Sequence, residues 1–203
     1  MKRLLALFVL MVASAAARAE APVILVFGDS ISAGYGLPLE QGWVELLRTR
    51  LKAQGYGYQV VNASVSGETT AGGLARLPRA LELHHPSIVI LELGGNDGLR
   101  GLPIAQMRTN LTQMTSSSTA AGAKVLLLGM RMPPNYGPEY TKQFAMVFSD
   151  LAAEKKISLV PFLLTDIALS PALLQADDIH PNAQGQPILL DNVWPTLKPL
   201  LHK

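Results

Sequence analysis

Four short segments of the chain carry hydroxyl, carboxylate, amide and imidazole side chains together with glycines. They are residues 28–32 (GDSIS), 62–67 (NASVSG), 94–97 (GGND) and 177–181 (DDIHP). The first three directly follow apolar runs that are typical of buried β-strands. In a parallel sheet covered by helices on both faces, ligands bind outside the carboxyl ends of the strands. The sequence therefore predicts that these segments meet at one rim and form a reactive site.

Ser30 and His180 are the candidates for a nucleophile and its base. A serine hydroxyl is a weak nucleophile unless an adjacent base accepts its proton. The chain has four histidines. His84 and His85 precede a predicted strand, which puts them at the opposite edge of the sheet, and His202 lies next to the last residue. His180 is therefore predicted to be the general base.

Three further groups complete the chemistry that the pattern predicts. Asp177 lies three residues before His180, so one turn of chain can place its carboxylate on the imidazole and hold the tautomer. The backbone N–H groups of Ser30 and Gly67 and the side-chain amide of Asn96 can donate hydrogen bonds to an oxyanion. The residues predict acyl transfer through Ser30, Asp177 and His180.

The same residues also have simpler interpretations. Ser30 can cap a helix, Asn96 can serve in a turn, and Gly67 can occupy a positive φ whether or not it binds an oxyanion. Asp177 and His180 could belong to a metal site, but no cysteine and no further nearby histidine is available to join them. Neither a metal nor a cofactor is therefore expected.

The first nineteen residues are predicted to be a secretory signal peptide. Lys2 and Arg3 precede an apolar run at residues 4–12, and the A-x-A pattern at 17–19 fits a cleavage site before Glu20. The apolar run is too short to span a bilayer of about 30 Å. We therefore expect a single domain at residues 20–203, periplasmic or secreted, without a membrane anchor.

Composition and charge exclude several classes of protein. Apolar residues make up 49% of the chain, which is inconsistent with a disordered protein. Cleavage after residue 19 removes three of the 17 basic residues and none of the 15 acidic ones, so the formal charge changes from +2 to −1. Such a chain has no basic field for nucleic acid. The absence of cysteine excludes disulfides and a thiolate nucleophile.

Strand-like and helix-like stretches alternate along the chain, which predicts a three-layer α/β/α sandwich with a mostly parallel sheet. We expect five strands in the order 2-1-3-4-5. The predicted strands are residues 23–27, 58–61, 88–93, 125–128 and 159–162, and the predicted helices are residues 43–54, 74–81, 104–119 and 140–155. Pro78 is predicted to bend or break its helix, and Pro187 and Pro195 to break a last helical stretch at 184–200.

The pattern differs from the G-x-S-x-G elbow of α/β-hydrolases, because Ser32 replaces the second glycine. It resembles instead the SGNH hydrolases, also called the GDSL family. In that family separate blocks supply a serine, a glycine, an asparagine and a histidine, with an aspartate three residues before the histidine. Ser30, Gly67, Asn96 and the Asp177/His180 pair match these blocks. The sequence departs from the family pattern at two positions, both outside the predicted triad and oxyanion donors. Residue 68 is glutamate where the family has aspartate, and residue 178 is aspartate where the family has glycine.

The resemblance implies a flavodoxin-like SGNH fold and an esterase, thioesterase and lysophospholipase activity, of the kind found in the bacterial periplasm. It implies no cofactor or metal, a small acyl ester or thioester substrate, and a monomer. It also relates residues 98–103 to a mobile loop that contacts substrate. The residues expected to line the substrate cleft are Gly98, Leu99, Arg100, Leu102, Met132 and Tyr136.

Two other functions remain open at the level of sequence. The first is a carbohydrate O-acetylesterase, since the same family includes such enzymes. The second is a non-catalytic flavodoxin-like module that uses the glycine-rich loops before helices to bind a phosphate group.

Overall fold

The computed structural model describes residues 21–203, and the predicted signal peptide lies outside them. Five parallel strands form one sheet in the order β2-β1-β3-β4-β5, which confirms the predicted fold class. The three inner strands consist mostly of aliphatic and aromatic residues because helices cover both of their faces. The strands are β1 Val23–Gly28, β2 Gln59–Asn62, β3 Ile88–Glu92, β4 Lys124–Leu128 and β5 Ser158–Val160.

Seven α-helices occur in the described part of the chain. Two of them, α1 and α4, are single turns that directly follow β1 and β3 and were not predicted from the sequence. The helices are α1 Ser30–Ala33, α2 Trp43–Ala53, α3 Thr70–His84, α4 Gly95–Leu99, α5 Ile104–Ala120, α6 Pro138–Lys155 and α7 Gln186–Leu197. None of the helices between residues 21 and 203 combines the length and apolar character that a membrane span requires.

The longer helices form a layer on each face of the sheet. On one face α2 packs against α7, and on the other α3 packs against α5, which packs against α6. Each helix contributes buried apolar residues, such as Trp43 and Leu47 from α2 and Phe144 and Phe148 from α6. The core therefore lies on both faces of the sheet, and the carboxyl edges of the strands are left to the connecting loops.

The predicted breaks at proline were wrong. Helix α3 continues through Pro78 to His84, and α7 continues through Pro195 to Leu197. An interior proline costs about 3 kcal/mol in an isolated helix. In α3 the buried side chains of Leu77 and Leu81 offset that cost. Pro187 lies in the first turn of α7, where its missing N–H has no partner to lose.

Candidate active site

Ser30, His180 and Asp177 form a continuous chain of hydrogen bonds. Ser30 is the first residue of α1, directly beyond the end of β1, and its Oγ lies 2.8 Å from Nε2 of His180. Nδ1 of His180 lies 2.6 Å from Oδ2 of Asp177. The structure thus brings together two residues separated by 150 positions in the chain.

The loop that carries His180 is held by its own backbone and by Asp177. Oδ1 of Asp177 accepts hydrogen bonds from the N–H groups of Ile179 and His180, each at 3.0 Å. The Gln175 N–H donates to the His180 carbonyl at 2.8 Å, beside an antiparallel bridge between Leu174 and Pro181. These contacts fix the imidazole in the direction of Ser30.

The pKa of Asp177 reflects this arrangement. Desolvation raises it, but the hydrogen bonds from His180 and Ile179 outweigh that rise and lower the pKa of Asp177 to about 2. Asp177 is therefore ionised throughout the neutral range. An ionised carboxylate at this position stabilises the imidazolium that forms when His180 accepts a proton.

Tyr35 and Gln175 are neighbours of His180 that the sequence did not identify. The Tyr35 ring lies 4.7 Å from the imidazole, centroid to centroid, at a tilt of 42°. The Gln175 side-chain amide donates to the Tyr35 carbonyl at 2.8 Å. Tyr35 lies beyond α1 and its side chain is half-exposed, so it shields one side of the imidazole. No local pattern marks either residue, since the contact joins segments 140 positions apart.

Asn96 approaches the Ser30 turn through Asp29. The Asn96 side chain in α4 donates from Nδ2 to Oδ2 of Asp29 at 3.0 Å, and Oδ1 of Asp29 accepts the Ile31 N–H at 3.0 Å. Asp29 thereby caps α1. The carboxamide of Asn96 retains a second N–H that is free to donate elsewhere.

Gly67 lies in the loop that follows β2, as Ser30 and Asn96 lie beyond the ends of β1 and β3. Its φ of 77° is in the left-handed region, which a glycine occupies without strain. Two contacts attach its loop to the same rim. The Val65 N–H donates to the Gly28 carbonyl at 3.0 Å, and Nη2 of Arg100 donates to the Gly67 carbonyl at 2.9 Å.

Asp97 links α4 to α3. Its carboxylate accepts the Thr70 N–H at 2.8 Å and the Thr70 hydroxyl at 2.5 Å. Asn110 from α5 donates to that hydroxyl at 3.0 Å. Both Asp29 and Asp97 are almost fully buried, and both bond backbone N–H groups of the loops. They hold the loops of the rim in place.

The residues expected to line a substrate cleft have different environments. Arg100 and Leu102 are exposed, and Leu99 is half-buried. The Tyr136 hydroxyl donates a hydrogen bond to the Leu99 carbonyl at 3.1 Å. Gly98 and Met132 are buried instead. Met132 and Phe144 of α6 fill the space beside Gly98, and the assignment of Gly98 and Met132 to the cleft stays a prediction.

Met132 also borders a groove of about 410 Å³ between residues 131–134 and the start of α6. None of the three hydrogen-bonded residues Ser30, Asp177 and His180 lines that groove. Among residues 21–203, no cluster of three or more His, Cys, Asp or Glu side chains is arranged to hold a metal ion.

The two departures from the family pattern have structural explanations. Asp178 adopts φ 57°, in the region that favours glycine, and aspartate is one of the side chains that tolerates it. Glu68 forms an ion pair with Arg76 of α3 at 2.5 Å. Neither side chain forms a hydrogen bond with Ser30 or His180 in the described structure.

A parallel sheet that carries a hydrogen-bonded serine, histidine and aspartate at its carboxyl edge is the architecture of a serine hydrolase. The profile of the GDSL-like Lipase/Acylhydrolase family matches residues 26–188, and the chain belongs to that family.

Known members are closely similar over most of their length. The chain is 56% identical to Esterase TesA of Pseudomonas aeruginosa, over 91% of this chain and 92% of that protein. It is 41% identical to Thioesterase 1/protease 1/lysophospholipase L1 of Escherichia coli K12, over 91% and 87%. A crystal structure of the esterase EstA from Pseudoalteromonas, inhibited by monoethylphosphonate, superposes with a TM-score of 0.84 at 43% identity, covering 87% of this chain and 97% of EstA.

Proposed function

We propose that this hydrolase cleaves acyl esters and thioesters through an acyl-enzyme on Ser30. The observation that carries the proposal is the chain of hydrogen bonds from Ser30 through His180 to Asp177. The proposed substrates are arylesters, acyl-CoA thioesters and lysophospholipids. Relatives named as an arylesterase and as a thioesterase and lysophospholipase support these classes. Because one chain supplies every residue of the triad, we also propose that the enzyme works as a monomer.

The mechanism follows from the geometry. Oγ of Ser30 attacks the acyl carbonyl carbon while Nε2 of His180 accepts the hydroxyl proton, and the carbonyl oxygen becomes an oxyanion. The tetrahedral intermediate collapses, and the bond to the leaving oxygen or sulfur breaks as His180 donates its proton to that atom. Water then attacks the acyl carbon while His180 accepts its proton. The bond from that carbon to Oγ breaks as His180 donates the proton to Oγ, so the acid leaves and Ser30 is restored.

A serine-reactive phosphonate tests this function directly. The probe is expected to label one residue per chain, identified by mass spectrometry as Ser30, and the Ser30→Ala variant is expected to remain unlabelled. Complete absence of labelling in the wild type would favour the phosphate-binding module instead. Inhibition of EstA by monoethylphosphonate makes this class of probe a suitable choice.

Asn96→Ala is expected to lower kcat by about 10²–10³-fold with little change in KM. We propose that Asn96 donates to the oxyanion together with the backbone N–H groups of Ser30 and Gly67. An oxyanion donor acts on charge that exists only in the transition state, so its loss reduces kcat. Steady-state kinetics on a p-nitrophenyl ester measure the effect. An unchanged kcat would remove Asn96 from the oxyanion hole.

Medium-length acyl chains are expected to be preferred over acetyl. Half-exposed apolar side chains accompany the triad, with Tyr35 against the imidazole and Ile179 next to His180 in sequence. Each additional methylene that becomes buried contributes about 0.8 kcal/mol, so kcat/KM should rise by up to about fourfold per methylene. A series of p-nitrophenyl esters from acetate to palmitate measures the trend. A maximum at acetate would favour an O-acetylesterase.

We propose that the enzyme is exported by residues 1–19 and acts in the periplasm or outside the cell. The expected result is that the protein isolated from the periplasmic fraction of a bacterial host begins at Glu20. N-terminal sequencing of that fraction measures it, with a variant carrying Ala17→Gln and Ala19→Gln as the control for blocked cleavage. A mature protein that begins at Met1 and stays in the cytoplasm would contradict export.

A further inference from the structure

Glu92 places a carboxyl group in the interior beside the Ser30 turn, and the mechanism above does not use it. It is the last residue of β3, it has no exposed surface, and it lies opposite Gly28 of β1 in the sheet register. A Cβ atom at Gly28 would lie 2.5 Å from Oε2 of Glu92. The glycine before Asp29 and Ser30 therefore leaves the space that the Glu92 carboxyl fills.

The hydrogen bonds of Glu92 are directed to the nucleophile turn. Its Oε2 accepts the Ser32 hydroxyl at 2.7 Å and the Asp29 N–H at 3.2 Å. Its Oε1 is buried without a hydrogen-bond partner among the described residues. No basic side chain of residues 21–203 forms an ion pair with Glu92. An ionised carboxylate here would be a buried charge without an ion-pair partner, and the two hydrogen bonds to Oε2 would compensate it only in part.

Asp29 is a second buried carboxyl group next to Glu92. Two acidic groups in one dry site do not both ionise, because the first charge opposes the second. Burial, and next the charge of Asp29, raise the pKa of Glu92 well above its ordinary value. Burial also raises the pKa of Asp29, to about 6, while hydrogen bonds from Ile31 and Asn96 act to lower it. The hydrogen bonds from Ile31 and Asn96 to its carboxylate therefore favour Asp29, rather than Glu92, as the ionised member of the pair.

We propose that Glu92 is a positioning residue that stays protonated at neutral pH and, through Asp29, holds both the Ser30 turn and the side chain of Asn96. The path runs from Glu92 to the Asp29 backbone, and from the Asp29 carboxylate to Asn96 at 3.0 Å. A second ionised carboxylate here would oppose the negative charge that forms on the substrate oxygen. This inference rests on the proposed function, because it assigns Glu92 a task in the same site.

Glu92→Gln and Glu92→Leu separate a neutral hydrogen-bonding role from simple space filling. Glutamine matches the protonated acid in shape and hydrogen bonding, so kcat should stay within about threefold of the wild type. Leucine keeps the bulk but removes the hydrogen bonds, so kcat should fall about 10–100-fold while KM changes by less than about threefold. The effect of Glu92→Leu should be smaller in an Asn96→Ala background, because the two residues act through one path.

Infrared spectroscopy tests the protonation without reference to catalysis. The wild type at neutral pH should show the carbonyl band of a protonated carboxylic acid, and Glu92→Gln should lack it. Absence of that band would overturn the inference, as would a Glu92→Gln variant as impaired as Glu92→Leu, or a Glu92→Leu variant with wild-type kcat.

Ser32→Ala serves if Glu92→Leu does not fold, since it removes only the hydroxyl bonded to Glu92. It should lower kcat about 3–10-fold and non-additively with Asn96→Ala. An unchanged kcat or full additivity would overturn the inference. Wild-type turnover by Ser30→Ala would instead refute the proposed function, whereas a missing acid band with an inactive Ser30→Ala refutes only the role of Glu92.

Discussion

Alanine in place of Ser30 is expected to lower kcat on an acyl ester by about 10⁶-fold, and alanine in place of His180 by about the same factor. The reason is the 2.8 Å contact between Oγ and Nε2, through which each residue depends on the other. Without the hydroxyl no acyl-enzyme can form, and without the imidazole the hydroxyl keeps its proton. Because the two act as a unit, the double variant should be no slower than either single one.

Single-turnover and steady-state assays with p-nitrophenyl butyrate measure these losses. Ser117→Ala and His202→Ala are matched controls, since both side chains are exposed. Ser117 lies near the end of α5, just before β4 begins, and the His202 backbone is bonded to Tyr58, just before β2. Both controls therefore lie at the amino edge of the sheet and should retain wild-type kcat. A Ser30→Ala variant within tenfold of the wild type would refute the mechanism.

Replacement of Asp177 by asparagine is expected to lower kcat by about 10⁴-fold without unfolding the protein. Both oxygens of the Asp177 carboxylate accept hydrogen bonds. Oδ2 accepts from Nδ1 of His180, and Oδ1 accepts from the N–H groups of Ile179 and His180. An asparagine must turn its amide donors toward one of these two sides. Facing Nδ1, it favours the tautomer with the proton on Nε2, which cannot accept the proton of Ser30. If the amide donors instead face the backbone, they point at the N–H groups of Ile179 and His180, which are donors themselves.

Asp178→Asn is the matched control for Asp177→Asn. Asp178 is the next residue in the chain, and its side chain is exposed. Asparagine is well suited to the left-handed φ of 57° at this position. We expect its kcat to stay within about threefold of the wild type, because no hydrogen bond joins Asp178 to His180 in the described structure. Equal losses in the two variants would show that Asp177 acts only through the net charge of the loop.

The order of the fold explains why these residues meet. Strands β2, β1 and β3 are neighbours in the sheet, so the loops that carry Gly67, Ser30 and Asn96 begin side by side. The His180 loop follows β5, which lies at the far edge of the sheet, and must return across the rim. The bond from Gln175 to the Tyr35 carbonyl attaches it next to α1. The nucleophile and its base are thus held by contacts outside the sheet as well as by the sheet itself.

Much of this could be predicted from the sequence because the relevant signals are local. Apolar runs that end in glycine marked the inner strands, and apolar spacing marked the long helices. Regular alternation predicted the number of strands and a mostly parallel sheet, whereas their order was the one expected of a flavodoxin-like sheet. Ser30, Asn96 and His180 were identifiable because each follows or accompanies such a signal, and because few histidines compete for the role of base.

Other features depended on contacts that no local pattern encodes. Helices α3 and α7 continue through prolines because packing offsets the local cost. Gly98 is buried because Met132 and Phe144 of α6 pack against it, although the sequence suggested an exposed loop there.

By itself, the sequence determined the α/β/α class, the four reactive segments and the chemistry that their side chains allow. Only the tertiary structure decided that Glu92, an acid in an otherwise apolar strand, lies against Asp29, 63 positions away, and that Tyr35 covers the imidazole. The physical reason is that periodicity reports which face of an element is buried. The partner found on that face, and the protonation state that burial imposes, depend on the packing of the whole domain.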